Sequence, residues 1–363
     1  MGKGDNMSLQ RNEKFDFYKG MLMLGVIWGH IITALRADYP EPSWLLTFFR
    51  TYDMPMFAFI TGFFLKKSVE KHSALHNILN KIGNILIPAA IWEFLINLGM
   101  FKLSLSVGKL WFLWSIFICC AVIIGIDFLF KSHPRIKSIV MVLAVLIFHL
   151  KIGNFFKAGF LLLPCAAGFY YQTFSNAVKR KIDKNGQFYL KTLLVIIIII
   201  MQCFWTTDYN VWNTPCNILE GGFDKMVVIG VIYRDIIGLI GCVVMKMAFD
   251  VLYDITSSSA YKQVTRANEL CSQIGQNTIE MYILHVPLVS VYGVKVIKII
   301  VEKIGFNPFA YNMDILNLIL SPVITIIVIA VVFFIKKLLC KIPFVNRIIF
   351  GIPLSKYLKI NKK

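Results

Sequence analysis

Apolar residues in this chain fall into long unbroken runs. They do not alternate as a half-buried strand does, nor form the one-sided stripe of a surface helix. Ten runs are distinguishable, at residues 17–35, 44–65, 80–100, 110–130, 138–150, 155–174, 190–206, 226–249, 276–300 and 315–337. A helix needs about 20 mostly apolar residues to cross a bilayer; the fifth and seventh runs are the shortest. In hydrocarbon every backbone N–H and C=O must find a protein partner, so only helices and closed barrels span it. A stretch such as "VIIIIIM" (Val195–Met201) lacks the alternation of a barrel strand. The pattern predicts an all-α fold, a polytopic transmembrane helical bundle of about ten membrane-spanning helices. Residues 1–363 are expected to form a single membrane-embedded domain, with no internal repeat and no soluble catalytic domain at either end.

Composition agrees with that pattern. Charged residues are 16% of the chain and hydrophobic residues 57%, against about 25% charged in an average soluble domain. The excess apolar surface needs a solvent other than water. The net charge of +18 would suggest a nucleic-acid partner in a soluble protein, but in a membrane protein its distribution matters first. With the N-terminus inside, ten spans assign 27 Lys and Arg to inner segments and nine to outer loops, with Arg50 and Arg234 inside spans. That bias predicts a multi-pass protein of the plasma (inner) membrane with residues 1–14 and 340–363 as cytoplasmic tails. The inner charge then serves topology and anionic lipid, and no nucleic acid is expected; some of it could also hold a polyanionic cytosolic ligand. The eight cysteines show no C-x-x-C pair and read as small apolar residues. The first run lacks a small-residue cleavage site, so no cleaved signal is expected. His72 and His76 have metal-pair spacing but no third ligand in view; no metal is predicted.

The informative residues are the polar ones inside the runs. A charged group at the bilayer centre costs about 2.5–3.5 kcal/mol on insertion scales and usually marks function. His30, Arg50, Asp53, Glu93, Arg234, Asp235 and His285 all fall, by residue count, in a middle-to-outer band of the membrane. One water-accessible cavity accounts for them better than scattered buried ion pairs. A neutral imidazole is cheaper to bury than a full charge and accepts a proton near neutral pH, so His30 suits a general base. Gly29 beside it lets a backbone or substrate come close. Asp16 and Lys19, about 21 Å along the same helix, are too far to assist His30 and belong to a helix start or the mouth of a cofactor site. The aromatic stretch "LWFLWSIF" (Leu110–Phe117) is read as an interfacial girdle, with stacking as the alternative.

These segments carry a family resemblance. "RNEKFDFYKGMLMLGVIWGH" (Arg11–His30) resembles the first-helix signature of the acyltransferase 3 family, in particular its fucose 4-O-acetylase-like members. "DMPMFAFITGFF" (Asp53–Phe64), "ILIPAAIWE" (Ile85–Glu93), "LWFL" (Leu110–Leu113), "IYR" (Ile232–Arg234) and "IGQNTIEMYILHVPL" (Ile274–Leu288) are similar to later family motifs in the same order. The resemblance implies an integral membrane O-acyltransferase that moves an acyl group, usually acetyl from acetyl-CoA, to a hydroxyl of a cell-surface or lipid-linked carbohydrate. It implies that His30 is the catalytic histidine, that Asp16 and Lys19 form the inner-end motif, and that Arg234, Tyr282 and His285 fill the later motifs. Two positions depart from it: Asp53 stands where the family has a second-helix histidine, and Asn84 where an arginine is common, with Lys81 nearby.

The resulting expectation is specific. His30 acts as general base or acyl-accepting nucleophile; Asp53 or Glu93 orients it; Arg234 stabilises the developing oxyanion. Lys19, Lys66, Lys67 and Lys81 are expected to hold CoA phosphates at the inner mouth. Intramembrane charges would equally suit a saccharide or small-anion transporter or flippase, although no repeat or paired broken helices favour that reading.

Overall fold

The computed structural model describes residues 12–35, 43–100, 108–152, 155–210, 215–216, 218–219, 224–293, 296, 299, 303, 313–339, 341 and 343–351. Most of the two expected tails lies outside them. The described residues form helices and no strand. In chain order these are α1 (Glu13–Leu35), α2 (Trp44–Lys71), α3 (Ala74–Lys81), α4 (Ile87–Gly99), α5 (Trp111–Leu129), α6 (Pro134–Ile147), α7 (Ala158–Lys181), α8 (Lys184–Cys203), α9 (Lys225–Ser257), α10 (Lys262–Gln276), α11 (Thr278–His285), α12 (Ser321–Leu339) and α13 (Pro343–Phe350). Helix covers most of the described part of each of the ten expected spans, the margins such as residues 204–206 being turn or irregular. Among the described residues, six helical stretches are both long and apolar enough to cross a membrane.

Local chemistry explains the boundaries. Ser43 and Ser73 cap α2 and α3 by accepting from Leu46 N and His76 N, and Asp183 and Asp224 do the same for α8 and α9. Pro134 and Pro88 sit in first turns, where a missing N–H costs nothing. Four stretches open into wider π-turns: Ile82–Leu86, Phe148–Ile152, Val286–Gly293 and Leu316–Leu320.

Two helix pairs are packed to backbone contact. A Cβ added at Gly62 would lie 1.9 Å from Cys165 O, and one at Gly168 would lie 1.9 Å from Phe59 O, so α2 and α7 cross through reciprocal glycines. Gly20 and Gly275 do the same for α1 and α10, at 1.9 Å from Cys271 O and 1.7 Å from Asp16 O. Helices without a hydrophobic drive between them gain by this close approach. α1 also packs on α2 and α12, and α9 packs on α2, α7 and α8, which makes α1 and α2 the centre of the bundle.

Successive spans reverse direction, giving the bundle two ends. One carries the close of α1 at Leu35 and the starts of α2, α5, α7 and α9; it is termed the distal end. At the opposite, proximal end Lys14 of α1 pairs with Asp250 and Asp254 of α9 at 3.0 and 2.9 Å, and Lys137 of α6 pairs with Asp127 of α5 at 2.9 Å. Part of the stretch expected to be a C-terminal tail is α13, which is tied to the bundle: Trp92 Nε1 donates to Ile349 O at 3.0 Å, and Arg347 Nη1 to Asn84 Oδ1 at 3.3 Å.

Candidate active site

Five residues before α1 ends, His30 faces a cavity of about 110 Å³ near the distal end. The last third of α1 contributes Gly29, His30 and Thr33 to it, and the first third of α2 contributes Phe49, Arg50 and Asp53. Arg234 of α9 and Tyr282 of α11 complete the polar wall, together with Asn210. Two indoles, Trp111 and Trp205, and the ring of Phe160 supply the aromatic wall. Four predicted residues, His30, Asp53, Arg234 and Tyr282, therefore meet across four helices distant in sequence.

The side chains are held by local hydrogen bonds. Thr33 Oγ1 donates to Gly29 O at 2.8 Å and accepts from Arg50 Nη2 at 3.1 Å. Asp53 Oδ1 accepts from Met54 N at 2.6 Å, just before Pro55 removes a donor from the helix ladder. Arg234 is 2% exposed; its Nη2 donates to Pro215 O at 3.0 Å, and its guanidinium lies 5.4 Å over Phe160. Phe160 is set by an unusual entry to α7: Phe156 and Lys157 take positive φ of 49° and 59°, and the Ser115 hydroxyl donates to Phe156 O.

His285 stands behind His30. Their ring centroids are 5.1 Å apart, and the Tyr282 ring lies 5.5 Å from that of His285. The Nδ1 of His285 is 2.9 Å from Met281 O. A carbonyl oxygen only accepts, so Nδ1 carries the proton and a neutral ring keeps its lone pair on Nε2. That Nε2 is buried and has no hydrogen-bond partner among the described residues. The π-turn Val286–Gly293 starts at the next residue and brings Ser290 Oγ to 3.4 Å from His30 Nδ1. Such widened turns recur at functional sites because the extra residue re-aims side chains.

Glu93 does not line the cavity. It is 1% exposed and accepts from the backbone N–H of Gly108 and Leu110, at 3.0 and 2.6 Å. Its carboxylate thus fixes the chain just before Trp111. The residues predicted for the inner mouth are spread over separate partners at the proximal end. Lys19 Nζ pairs with Asp16 at 2.7 Å, and Lys66 Nζ with Glu70 at 3.3 Å. Lys67 Nζ lies 4.9 Å over the Phe63 ring, while Lys81 closes α3. Two other cavities open at that end, of about 330 and 520 Å³, and both are lined by Tyr171, Ser175, Lys179 and Lys246. Lys191 joins the larger one. Neither takes Lys19, Lys66, Lys67 or Lys81 into its wall.

Several wall residues were not assigned from sequence. Arg50 carried a readable signal, since it lies three residues before Asp53 and shares its helix face. Trp111 sat inside the stretch read as a girdle. Trp205 and Asn210 gave no sequence signal, because run analysis treats them as the margins of apolar segments, and Ser290, which reaches His30 from behind the wall, is too weakly polar to stand out within its run.

A family model described as an acyltransferase domain matches residues 12–337. Among curated proteins the chain resembles nodulation protein NolL of Mesorhizobium japonicum, 29% identical over 126 residues, covering 30% of this chain and 34% of that protein. It also resembles nodulation protein NolL of Sinorhizobium fredii, 27% identical over 124 residues, covering 29% and 34%. The chain thus spans about a third of the length of these relatives. No solved structure matches.

Proposed function

The chain belongs to the acyltransferase 3 family, and we propose that it is an O-acyltransferase that moves an acetyl group from acetyl-CoA to a hydroxyl of a carbohydrate at the far face of the cell membrane. The observation that carries this reading is the shared cavity of His30, Asp53, Arg50 and Arg234 with two indoles at the distal end. Indole faces and a few fixed polar groups are what a sugar ring needs from a site. The basic proximal end is then cytoplasmic.

His30 removes the proton from the acceptor hydroxyl as its oxygen attacks the thioester carbonyl; the C–S bond then breaks, and CoA leaves as its thiol by taking up that proton from the imidazolium. General-base assistance of this kind contributes roughly 10²–10⁴-fold. His285 packs against the ring and limits its rotation, and Arg50 and Arg234 supply positive charge beside the developing oxyanion. Asp53 is the carboxylate nearest in sequence to that charge and offsets part of it. An acetyl group carried on His30 before transfer uses the same residues. At the proximal end, the wall of Lys179, Lys191 and Lys246 suits the phosphates of CoA.

The test is His30→Gln in a strain lacking the native gene, with membrane insertion checked by a tag. Loss of glycan O-acetylation by mass spectrometry supports the base role. Acetylation at the wild-type rate refutes it.

A further inference from the structure

A base needs a partner that fixes its ring, and neither carboxylate expected to orient His30 is bonded to it. Glu93 accepts from the N–H groups of Gly108 and Leu110. Asp53 Oδ1 accepts from Met54 N. Among the described residues, the side-chain atom within hydrogen-bond reach of the ring is Ser290 Oγ, 3.4 Å from Nδ1. That is long for a hydrogen bond, but catalytic hydrogen bonds are often long until substrate closes the site.

The backbone explains how Ser290 gets there. It follows His285 by five positions. In a regular α-helix five residues make one turn and about 140° more, which would aim Ser290 well away from the face that His285 turns to His30. Val286–Gly293 is a π-turn instead, and i→i+5 bonding brings residues five apart nearly above one another. His285 thus packs on the His30 ring, with centroids 5.1 Å apart, and Ser290 reaches Nδ1 from the next turn.

His30 lines the cavity and Ser290 does not. Nδ1 is therefore engaged from behind the wall, and Nε2, across the ring, is the nitrogen left for substrate. A hydroxyl can donate or accept. If it donated to Nδ1, a neutral ring would carry its hydrogen on Nε2 and could not act there as a base. We propose that Ser290 is the positioning residue of His30: its hydroxyl accepts from Nδ1–H and so fixes the tautomer whose Nε2 takes the proton of the acceptor hydroxyl. Nδ1 carries hydrogen before and after that transfer, so the bond persists through it. A neutral hydroxyl thus orients the ring as a triad carboxylate does. It adds no charge to a wall that already holds Arg50, Asp53, Arg234 and Tyr282, with His285 behind the ring. The catalytic role rests on the acyl-transfer reading; the tautomer does not.

The test reads the tautomer first. The full chain, with heavy nitrogen in its histidine rings, is held in phosphatidylcholine–phosphatidylglycerol nanodiscs and measured by NMR, the His30 signal being identified by its loss in His30→Gln. The neutral ring is expected to carry its hydrogen on Nδ1. Ser290 is exposed, so its variants should fold. Ser290→Ala should move the ring toward the Nε2–H form, and Ser290→Thr, which keeps a hydroxyl, should not. A wild-type ring with hydrogen on Nε2, or a tautomer unchanged in Ser290→Ala, overturns the proposal whether or not acetyl is transferred.

The rate of thiol release from acetyl-CoA reads the consequence. Ser290→Ala should lower kcat about five- to tenfold, the value of one hydrogen bond, with KM for acetyl-CoA within about twofold of wild type. Ser290→Thr should recover most of that loss. Ser290→Asp should move the acidic limb of kcat/KM to higher pH, because a carboxylate favours the imidazolium. Wild-type kcat in Ser290→Ala overturns the positioning role. A wild-type chain with the Nδ1–H ring but no acetyl transfer would sink the acyl-transfer reading and leave the Ser290–His30 bond standing.

Discussion

His30 and His285 lie with ring centroids 5.1 Å apart, yet only His30 reaches the cavity. The inner ring is held by the Met281 carbonyl and flanked by Tyr282, so it forms a rigid backing for the outer one. Two imidazoles on helices far apart in sequence would otherwise be two independent candidates for the same role.

Division of labour between them is measurable. His285→Phe retains a ring against Tyr282 and drops the bond to Met281 O. The expected outcome is an O-acetylation rate lowered by up to about 10²-fold, the cost of a misplaced catalytic group, with thermal stability in detergent near wild type. His30→Phe should remove the activity altogether. Equal residual rates in the two variants would contradict this order.

Glu93 acts at a distance from the cavity, through Trp111. Glu93→Ala strips the acceptor from the N–H groups of Gly108 and Leu110. Each orphaned donor costs about 1–3 kcal/mol, so the melting temperature should fall and acyl transfer should weaken as the start of α5 loosens. Glu93→Gln keeps one acceptor oxygen and should sit between the two. Fluorescence-detected size exclusion after heating reads the stability order directly.

Reciprocal glycines predict a sharp contrast among single alanine substitutions. Gly62→Ala and Gly168→Ala each drive a methyl into a carbonyl oxygen 1.9 Å away, where only backbone could yield. Both should cost about 1–3 kcal/mol or more and reduce folded yield. Gly25→Ala meets Phe49 Cδ1 at 3.4 Å, ordinary contact, and should express normally.

The buried Lys137–Asp127 pair joins α5 to α6 at 2.9 Å. Removing one partner leaves a lone charge and should cost about 3–5 kcal/mol, whereas Lys137→Met with Asp127→Leu should be close to neutral. Melting temperatures of the two single variants and the double variant check this.

The all-helical architecture was readable because hydrocarbon leaves the backbone so few choices. His30, Asp53 and Arg234 were readable because a polar group within an apolar run carries a cost that invites explanation, whereas Tyr282 was legible only through the family resemblance. Glu93 met the same test and turned out to hold backbone N–H groups, since depth along a helix says nothing about the direction a side chain faces. Trp205 and Asn210 were invisible for the opposite reason: polar or aromatic residues at a span margin cost nothing, so the sequence gives no cause to single them out. The lysines expected at the inner mouth failed to converge because charge counting identifies a membrane face and no pocket within it. Lys179 and Lys246, which do share a cavity wall, lie 67 positions apart.

Helices welded through glycine cannot slide without breaking backbone contact, so α1 with α10 and α2 with α7 travel as two solid blocks. Any opening between donor and acceptor faces must then be taken up elsewhere. The stretches at Ile82–Leu86 and Val286–Gly293 already have a loosened ladder, and one of them touches His30. They are the points at which the helix ladder can yield most easily, and substitutions that restore a regular helix there are the way to ask whether acyl transfer needs them.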